Sequence, residues 1–584
     1  MPSSGITWFA RIGCIAAACT VLICQEPPVL RVTTRLVEVN VIVTDKQGRP
    51  VEGLTKDDFT VVENGKPQKI ERFSVEKMHV ISPPAEALPP DVYTNRYELK
   101  GGAPSSATVI LLDLLNTRVR DKAFARQELL KFLRGQLRPG DRVALYALDL
   151  QLHLLHDFTT DATQLIQRLD RFGTNAPASP DTHDLTAPDV PDLRWKALAE
   201  TTMQADQILS DMNAVARVQR TAGALEAIAR RVSALPGRKS LVWVTGGVPL
   251  WLGIQQRMMQ DPTQRRKIAE KPSGANPSAN LPDSRKMSSE SDEMFADYPA
   301  AAKRIFTEET ERVGRAMDAA DLAVYPVDAQ GLLGAQGISA SERKSMAFER
   351  REKLGGTGLP DEFYANRDTM KILAERTGGQ AFLDSNDLSG AIRAAVEDAQ
   401  LTYVLSYYPK QERWDGHFQK LQVKVNRQDV TVRHRGGYLA LPDTAVAAND
   451  RQAGLMQAAT SPLESTGIRL VVATRPDMPS PGRLSVRIML DVRDIAFTNK
   501  DGRWACKIDL AFVQQPTADG KRTTLVKDDL DITLTPEAYA KVVEEGLIVP
   551  KELSMASSAY RLKVVVRDAN SGAVGSVEMP RGGK

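Results

Sequence analysis

Apolar and polar positions follow different periods in different parts of this chain. Every second residue from Val37 to Val43 is a valine, and the polar residues Glu38 and Asn40 lie between them, which is the pattern of a half-buried strand. A second short strand ends at Asn64-Gly65, a dipeptide preferred in hairpin turns. The pattern predicts a small β domain at 30–78, followed by a linker rich in Pro, Gly and Ser at 79–106.

The pattern changes at residue 107, where short apolar runs begin to alternate with amphipathic helical periods. This alternation is typical of βαβ units and predicts an α/β domain over 107–441 with a mostly parallel sheet and flanking helices. A strand-rich extension at 402–441 ends the domain. The predicted sheet strands are 108–114, 142–148, 240–245 and 323–327, and the predicted insertions are 174–193, 248–300 and 331–365.

Strict alternation returns in the last part of the chain. A linker rich in Ala and Asp at 442–462 precedes the segment 463–584, whose alternation predicts an antiparallel β-sandwich. Cys506 lies on the apolar face of one of its strands, so we expect a buried free thiol. The fold class is therefore multidomain, with an α/β unit between a small β domain and a β-sandwich.

The N-terminus has the features of an export signal. Arg11 precedes Ile12–Ile23, twelve residues without a charge, which suits a signal peptide and is short for a membrane span. We predict removal of residues 1–24 and a periplasmic, envelope-associated or secreted protein. Two alternatives remain open, a lipid anchor on Cys19 and a buried N-terminal helix.

Charge and composition exclude several classes of protein. The chain carries 76 basic and 73 acidic side chains, a net charge of +3, so nothing in the balance demands a nucleic-acid partner. No stretch approaches 18 consecutive apolar residues, so we expect no membrane span after signal removal. The chain also lacks a P-loop, G-x-S-x-G, H-E-x-x-H or C-x-x-C motif, which leaves no recognised catalytic pattern.

Several motifs over 30–441 together resemble the VWFA-related domain family of the acidobacterial type, whose α/β unit is similar to a von Willebrand factor A (VWA) domain. The 463–584 segment lies outside the resemblance. The motifs are VxDxxGxPVxGLxxxDFxVxENGxxQxIxxF at 43–73, LLDLLNTxxxD at 111–121, LxPGDRVAL at 137–145, PGRKSLVWVTGG at 236–247, LAVYPVDAQGL at 322–332, YVLSYYP at 403–409 and RHRGGY at 433–438.

The resemblance implies a metal-ion-dependent adhesion site. Its first loop is D-x-S-x-S, its second loop supplies a Thr, and its third usually supplies an Asp. In this chain Asp113 and Thr117 match the first loop, Asn116 adds an amide oxygen, and Thr174 is the candidate from the second loop.

Two expected ligands of that site are missing. Leu115 stands where the first Ser is expected, and Gly246 stands where the third-loop Asp is expected. A single carboxylate with neutral oxygens holds Mg²⁺ weakly. We therefore expect a degenerate site at which Mg²⁺ or another divalent cation is disfavoured and no cofactor is certain.

Ligands of open α/β sheets bind at the carboxyl ends of the strands. We call this edge the crest, meaning the strand ends at Asp113, Leu148, Thr245 and Asp328 and the loops that follow them. Asp113, Thr245 and Asp328 are the candidate binding residues, and the alternative is that the carboxylates only cap loop amides. His153 and His156 are predicted on opposite faces of one strand, which argues against a shared metal.

The sequence favours an exported VWA-domain protein that mediates protein–protein or matrix and envelope interactions without catalysis. One alternative is a structural envelope spacer with no ligand at the crest. A hydrolase assembled from the insertions is less favoured, because no nucleophile–base pair is apparent in the sequence.

Overall fold

The computed structural model describes the protein from Leu36 to Arg581 in stretches separated by gaps. The described residues are 36–77, 88–100, 107–138, 141–172, 213, 215–235, 237–247, 309, 312–330, 361–383, 385–398, 401–409, 418–440, 448–475, 483–516, 523–555 and 560–581. The predicted signal segment, the insertions at 174–193 and 248–300, most of the insertion at 331–365, and Thr174 lie outside them.

The strands and helices of the described residues are as follows. The strands are β1 Val37–Asp45, β2 Phe59–Glu63, β3 Lys66–Gln68, β4 Ile70–Lys77, β5 Val92–Thr94, β6 Ala107–Asp113, β7 Val143–Leu148, β8 Leu152–Thr159, β9 Lys239–Thr245, β10 Leu322–Asp328, β11 Leu401–Tyr407, β12 Phe418–Val425, β13 Val430–His434, β14 Gly437–Leu439, β15 Leu470–Arg475, β16 Arg483–Leu490, β17 Thr498–Lys500, β18 Arg503–Pro516, β19 Thr524–Leu534, β20 Leu547–Ser554, β21 Tyr560–Asp568 and β22 Val574–Arg581. The helices are α1 Val119–Gly135, α2 Ala162–Phe172, α3 at 215–232, α4 at 312–320, α5 Asp361–Thr377, α6 Leu388–Glu397, α7 Ala448–Thr460 and α8 Pro536–Glu545.

A mixed five-stranded sheet carries the crest. Its order is β10-β9-β6-β7-β8; the first four strands are parallel, and β8 runs antiparallel to β7. Every residue of β6, β7, β9 and β10 is buried, as expected of strands that are apolar on both faces. These are the four strands that the sequence predicted to share a sheet.

Helices cover both faces of this sheet. On one face α3 and α4 pack through an apolar stripe that includes Ala222, Leu225 and Met317. On the other face α1, α2 and α6 pack through a second stripe that includes Leu129 and Ile392. Helix α3 ends at residue 232, before Leu235.

The N-terminal strands form two sheets with strands from residues 401–439. One sheet has the order β13-β1-β11-β4, and the other has the order β14-β12-β2-β3. The sequence assigned 30–78 and 402–441 to separate units, and the structure corrects this, because β1 lies between β11 and β13. The valine face of β1 is buried against apolar side chains such as Tyr403 and Leu405, which neither segment could bury alone.

The C-terminal sandwich also recruits residues from outside its predicted bounds. Its sheets have the orders β20-β16-β15-β5 and β17-β18-β21-β22, with β19 paired to β18. Strand β5 comes from the predicted linker at 79–106, where Asn95 donates to the carbonyls of Ser465 and Ile468 at 2.7 and 2.8 Å. Helix α7 likewise lies in the predicted linker 442–462 and packs Leu455 onto the sandwich.

One smaller expectation for the sandwich is confirmed. Cys506 is a buried free thiol, 5% exposed, and burial raises its pKa to about 12. The short helix α8 has Thr535 as its N-cap, with the hydroxyl accepting from the amide of Ala538. Among the described helices, none is long and apolar enough to cross a membrane.

Candidate functional site

The crest is built by four loops at one edge of the central sheet. They follow β6, β7, β9 and β10, and the parallel direction of these strands brings their carboxyl ends together. The amides of Leu114 and Leu115 donate to the carbonyl of Leu148 at 2.8 and 3.0 Å. The first loop is therefore tied to the end of β7.

The Asp113 carboxylate is the centre of the crest and is fully buried. Its Oδ1 accepts the backbone N–H of Asn116 at 3.0 Å. Its Oδ2 accepts three side-chain donors, namely Asn116 Nδ2 at 2.8 Å, Trp243 Nε1 at 3.1 Å and Thr245 Oγ1 at 2.8 Å. Both carboxylate oxygens thus have partners within the protein.

Burial and hydrogen bonding act in opposite directions on this carboxylate. Burial raises the pKa of Asp113, and the donors from Asn116, Thr245 and Trp243 partly lower it, with a net rise above the ordinary value. The donors themselves are held in place by further bonds, because Asn116 Nδ2 also reaches Thr221 Oγ1 of α3 at 2.9 Å. Thr245 Oγ1 accepts the amide of Gly247 at 3.0 Å.

Thr117 and Gly246 join the first loop to the third. Thr117 Oγ1 donates to the Asp113 carbonyl and accepts the Gly246 amide at 3.1 Å. A Cβ on Gly246 would lie 2.6 Å from the carbonyl oxygen of Asn116 and 3.2 Å from the Thr117 Cα. The two backbones therefore approach so closely that only glycine fits between them.

Leu115 faces away from the carboxylate. It is 8% exposed and belongs to the apolar cluster beneath the crest, together with Leu148 and Leu152. The residue that replaces the expected Ser thus anchors the first loop in the core.

Asp328 belongs to a neighbouring group of contacts at the end of β10. Its Oδ1 accepts the amide of Gln330 at 2.9 Å, and Arg367 Nε lies 3.8 Å from its Oδ2. Gln330 Nε2 in turn donates to the carbonyl of Gly246 at 3.1 Å. Asp328 therefore caps its own loop, and Gln330 links that loop to the third loop of the crest.

These residues do not fit a divalent cation. Leu115 and Gly246 supply no ligand atom, and Asp113 Oδ2 is already surrounded by three donors. In the described part of the chain, no group of three or more His, Cys, Asp or Glu side chains could hold a metal. Thr174, the predicted second-loop ligand, lies outside the described residues, and its role stays a prediction.

The two histidines of β8 have separate partners. His153 Nε2 lies 2.9 Å from Asp149 Oδ1, and His156 Nε2 lies 2.9 Å from Gln164 Oε1. Each ring therefore has its own partner among the described residues.

Sequence reasoning missed Trp243 and Thr221. Trp243 is fully buried in β9, and a buried indole N–H requires an acceptor. Thr245 lies two residues later and therefore on the same face of the strand. Two donors on one face of β9 could have been used to predict a contact with the acceptor Asp113. Thr221 gave no comparable signal, since it lies within a helical run far from the first loop in sequence.

Comparisons with known proteins add little to this geometry. No family profile and no curated protein matches the chain. Among solved structures, the three N-terminal domains of the type V pili tip protein Mfa5 from Porphyromonas gingivalis align at 11% identity with a TM-score of 0.23. That alignment covers 88% of this chain and 78% of the other. Similarity at this level carries no argument about fold or function.

Proposed function

We propose that the protein is an exported VWA-domain protein that binds a protein, matrix or envelope partner at its crest, without chemistry of its own. Two features support the VWA assignment: the motifs over 30–441, and four parallel strands with helices on both faces. Export rests on the apolar segment behind Arg11, which lies outside the described residues.

The observation that carries this proposal is the set of hydrogen bonds that joins the end of β7 to the described parts of the loops after β6, β9 and β10. The loop after β6 is tied to the end of β7 through Leu148, and to the loop after β9 through Thr117 and Gly246. Gln330 ties the loop after β10 to the same point. These contacts fix the described bases of the loops before a partner arrives, which reduces the conformational entropy lost on binding.

An exposed leucine gives this surface a candidate contact. Leu150 lies in the turn between β7 and β8 and is 51% exposed. Its turn is fixed by Asp149 Oδ1, which accepts the amide of Gln151 at 2.8 Å and contacts His153. A large apolar side chain on a fixed turn is suited to a protein partner.

The test is a pull-down from envelope and culture fractions with the mature chain as bait. The variant Leu150→Asp places a charge on the crest. The matched control Ile548→Asp makes the same kind of change on β20 of the C-terminal sandwich, where Ile548 is 54% exposed. We expect a partner that wild type and Ile548→Asp both retain and that Leu150→Asp loses.

Other results would favour the alternative functions. Equal capture by all three proteins would contradict binding at the crest and favour the structural spacer. Turnover of a bound envelope component would contradict the absence of catalysis and favour the hydrolase.

A further inference from the structure

We infer that Trp243 takes the place of a cation in this crest: it is a positioning residue whose indole N–H, through Asp113, fixes the first and third loops without any divalent ion. The resemblance to VWA domains implies that a metal joins these loops. In this chain the indole N–H of Trp243 joins the two loops instead, by donating to Asp113.

The contact between Trp243 and Asp113 is the first part of the argument. Trp243 is fully buried in β9, beside β6, and its Nε1 lies 3.1 Å from Asp113 Oδ2. The same oxygen accepts Thr245 Oγ1 from the end of β9. Two donors from the strand that leads into the third loop thus converge on the carboxylate that starts the first loop.

The close approach of the two loops is the second part. The Gly246 amide lies 3.1 Å from Thr117 Oγ1, and the Gly246 Cα has no room for a side chain against Asn116. Leu115 packs in the apolar core and so fixes the position of the first loop. A cation between the loops would have to displace these contacts and also remove donors from Asp113.

The described contacts of Asp113 and of the two loops are therefore satisfied within the protein without a cation. If the crest binds a partner, as the proposed function holds, the binding is insensitive to chelation. That consequence rests on the proposed function, whereas the role of Trp243 rests only on the contacts within the crest.

A double-mutant cycle tests the role of Trp243 without any partner. The variants are Trp243→Phe, Asp113→Asn and the double variant, each measured by thermal unfolding of the mature chain. In Asp113→Asn the acceptor of the indole N–H becomes a neutral amide oxygen, which accepts a weaker hydrogen bond than a carboxylate does, so the loss of that N–H should cost less there than in wild type. We expect the double variant to lose less melting temperature than the sum of the two single losses.

The same cycle with Trp504→Phe is the control. Trp504 stacks on Tyr539 in the C-terminal sandwich at 4.3 Å between ring centroids, so its loss should add simply to that of Asp113→Asn. Thr245→Val, which removes a second donor to the same oxygen, repeats the cycle with a smaller change of volume. Additive losses for Trp243→Phe and Asp113→Asn would overturn the inference, whatever the result for Thr245→Val.

Cation titration provides a second, independent arm. We expect millimolar Mg²⁺ or Mn²⁺ to leave the melting temperature of the wild type unchanged. A rise of several degrees that Asp113→Asn abolishes would overturn the inference and identify a working metal site. In the pull-down, loss of a crest-dependent partner in EDTA would also overturn it, whereas failure to find any such partner would contradict only the proposed function.

Discussion

Gly246→Ala is the most direct test of how closely the crest loops approach each other. The added Cβ would lie 2.6 Å from the Asn116 carbonyl oxygen and 3.2 Å from the Thr117 Cα. Both neighbours belong to the backbone, so neither can move away as the end of a flexible side chain could. The third loop must shift instead, and the bond from the Gly246 amide to Thr117 Oγ1 is weakened.

The expected loss of stability follows from these contacts. Overpacking of a buried site typically costs about 1–3 kcal/mol, and a lost hydrogen bond adds on the order of 1 kcal/mol. The α/β domain predicted over 107–441 is longer than the 150–250 residues for which each kcal/mol lowers the melting temperature by roughly 2–4 °C, so the shift here is on the order of 1–2 °C per kcal/mol. We therefore expect Gly246→Ala to lower the melting temperature by several degrees.

Thermal unfolding followed by circular dichroism measures the effect, and Gly135→Ala is the matched control. Gly135 ends α1, and a Cβ there would meet nothing within 4 Å. Alanine is favoured over glycine in a helix by roughly 0.5–1 kcal/mol, so the control should be neutral or slightly stabilised. An unchanged melting temperature for Gly246→Ala would refute the close approach of the loops.

Three further predictions concern other parts of the chain. Burial alone would raise the pKa of Glu464, but Lys100 and Arg231, each 2.8 Å away, lower it below its ordinary value of 4.5. The stability that the ionised Glu464 contributes is present above that value and is lost as pH falls through the lowered pKa. Glu464→Gln should therefore flatten the decline in melting temperature below about pH 5, and a parallel decline in both proteins would contradict this prediction. Cys506, with its pKa raised to about 12, should resist iodoacetamide in the native protein and react with it in urea. Peptide mass spectrometry measures the extent of labelling, and rapid labelling of the native protein would be inconsistent with the burial of this thiol. N-terminal sequencing of the exported protein should show that residues 1–24 are absent, and an intact Met1 on cytoplasmic material would rule out the signal peptide.

The sequence by itself determined the local elements of this protein. Runs that are apolar on both faces predicted β6, β7, β9 and β10, and their shared sheet followed from the alternation with helical periods. Strict alternation predicted the strands of the C-terminal sandwich and the burial of Cys506. These features depend on the periods of single elements, which neighbouring residues along the chain encode.

The position of Asp113 at the carboxyl end of β6 was also readable from the sequence. Its surroundings were not. The motif indicated a degenerate metal site, but Trp243 and Thr221 reach Asp113 and Asn116 from elements more than one hundred positions away. A sequence does not show which of many possible hydrogen-bond partners will meet in the fold. The packing of β9 brings the Trp243 N–H to Asp113, and the packing of α3 brings the Thr221 hydroxyl to Asn116 as an acceptor.

Tertiary structure alone decided how distant strands pair. Strand β1 lies between β11 and β13, and β5 joins the C-terminal sandwich, although each segment carries only a local alternation that could match many partners. Backbone hydrogen bonds are the same for every pair of strands, so the choice depends on which apolar faces cover each other. The same limit applies to Gly246, whose glycine is required because the Asn116 backbone lies against it, a contact between residues 130 positions apart.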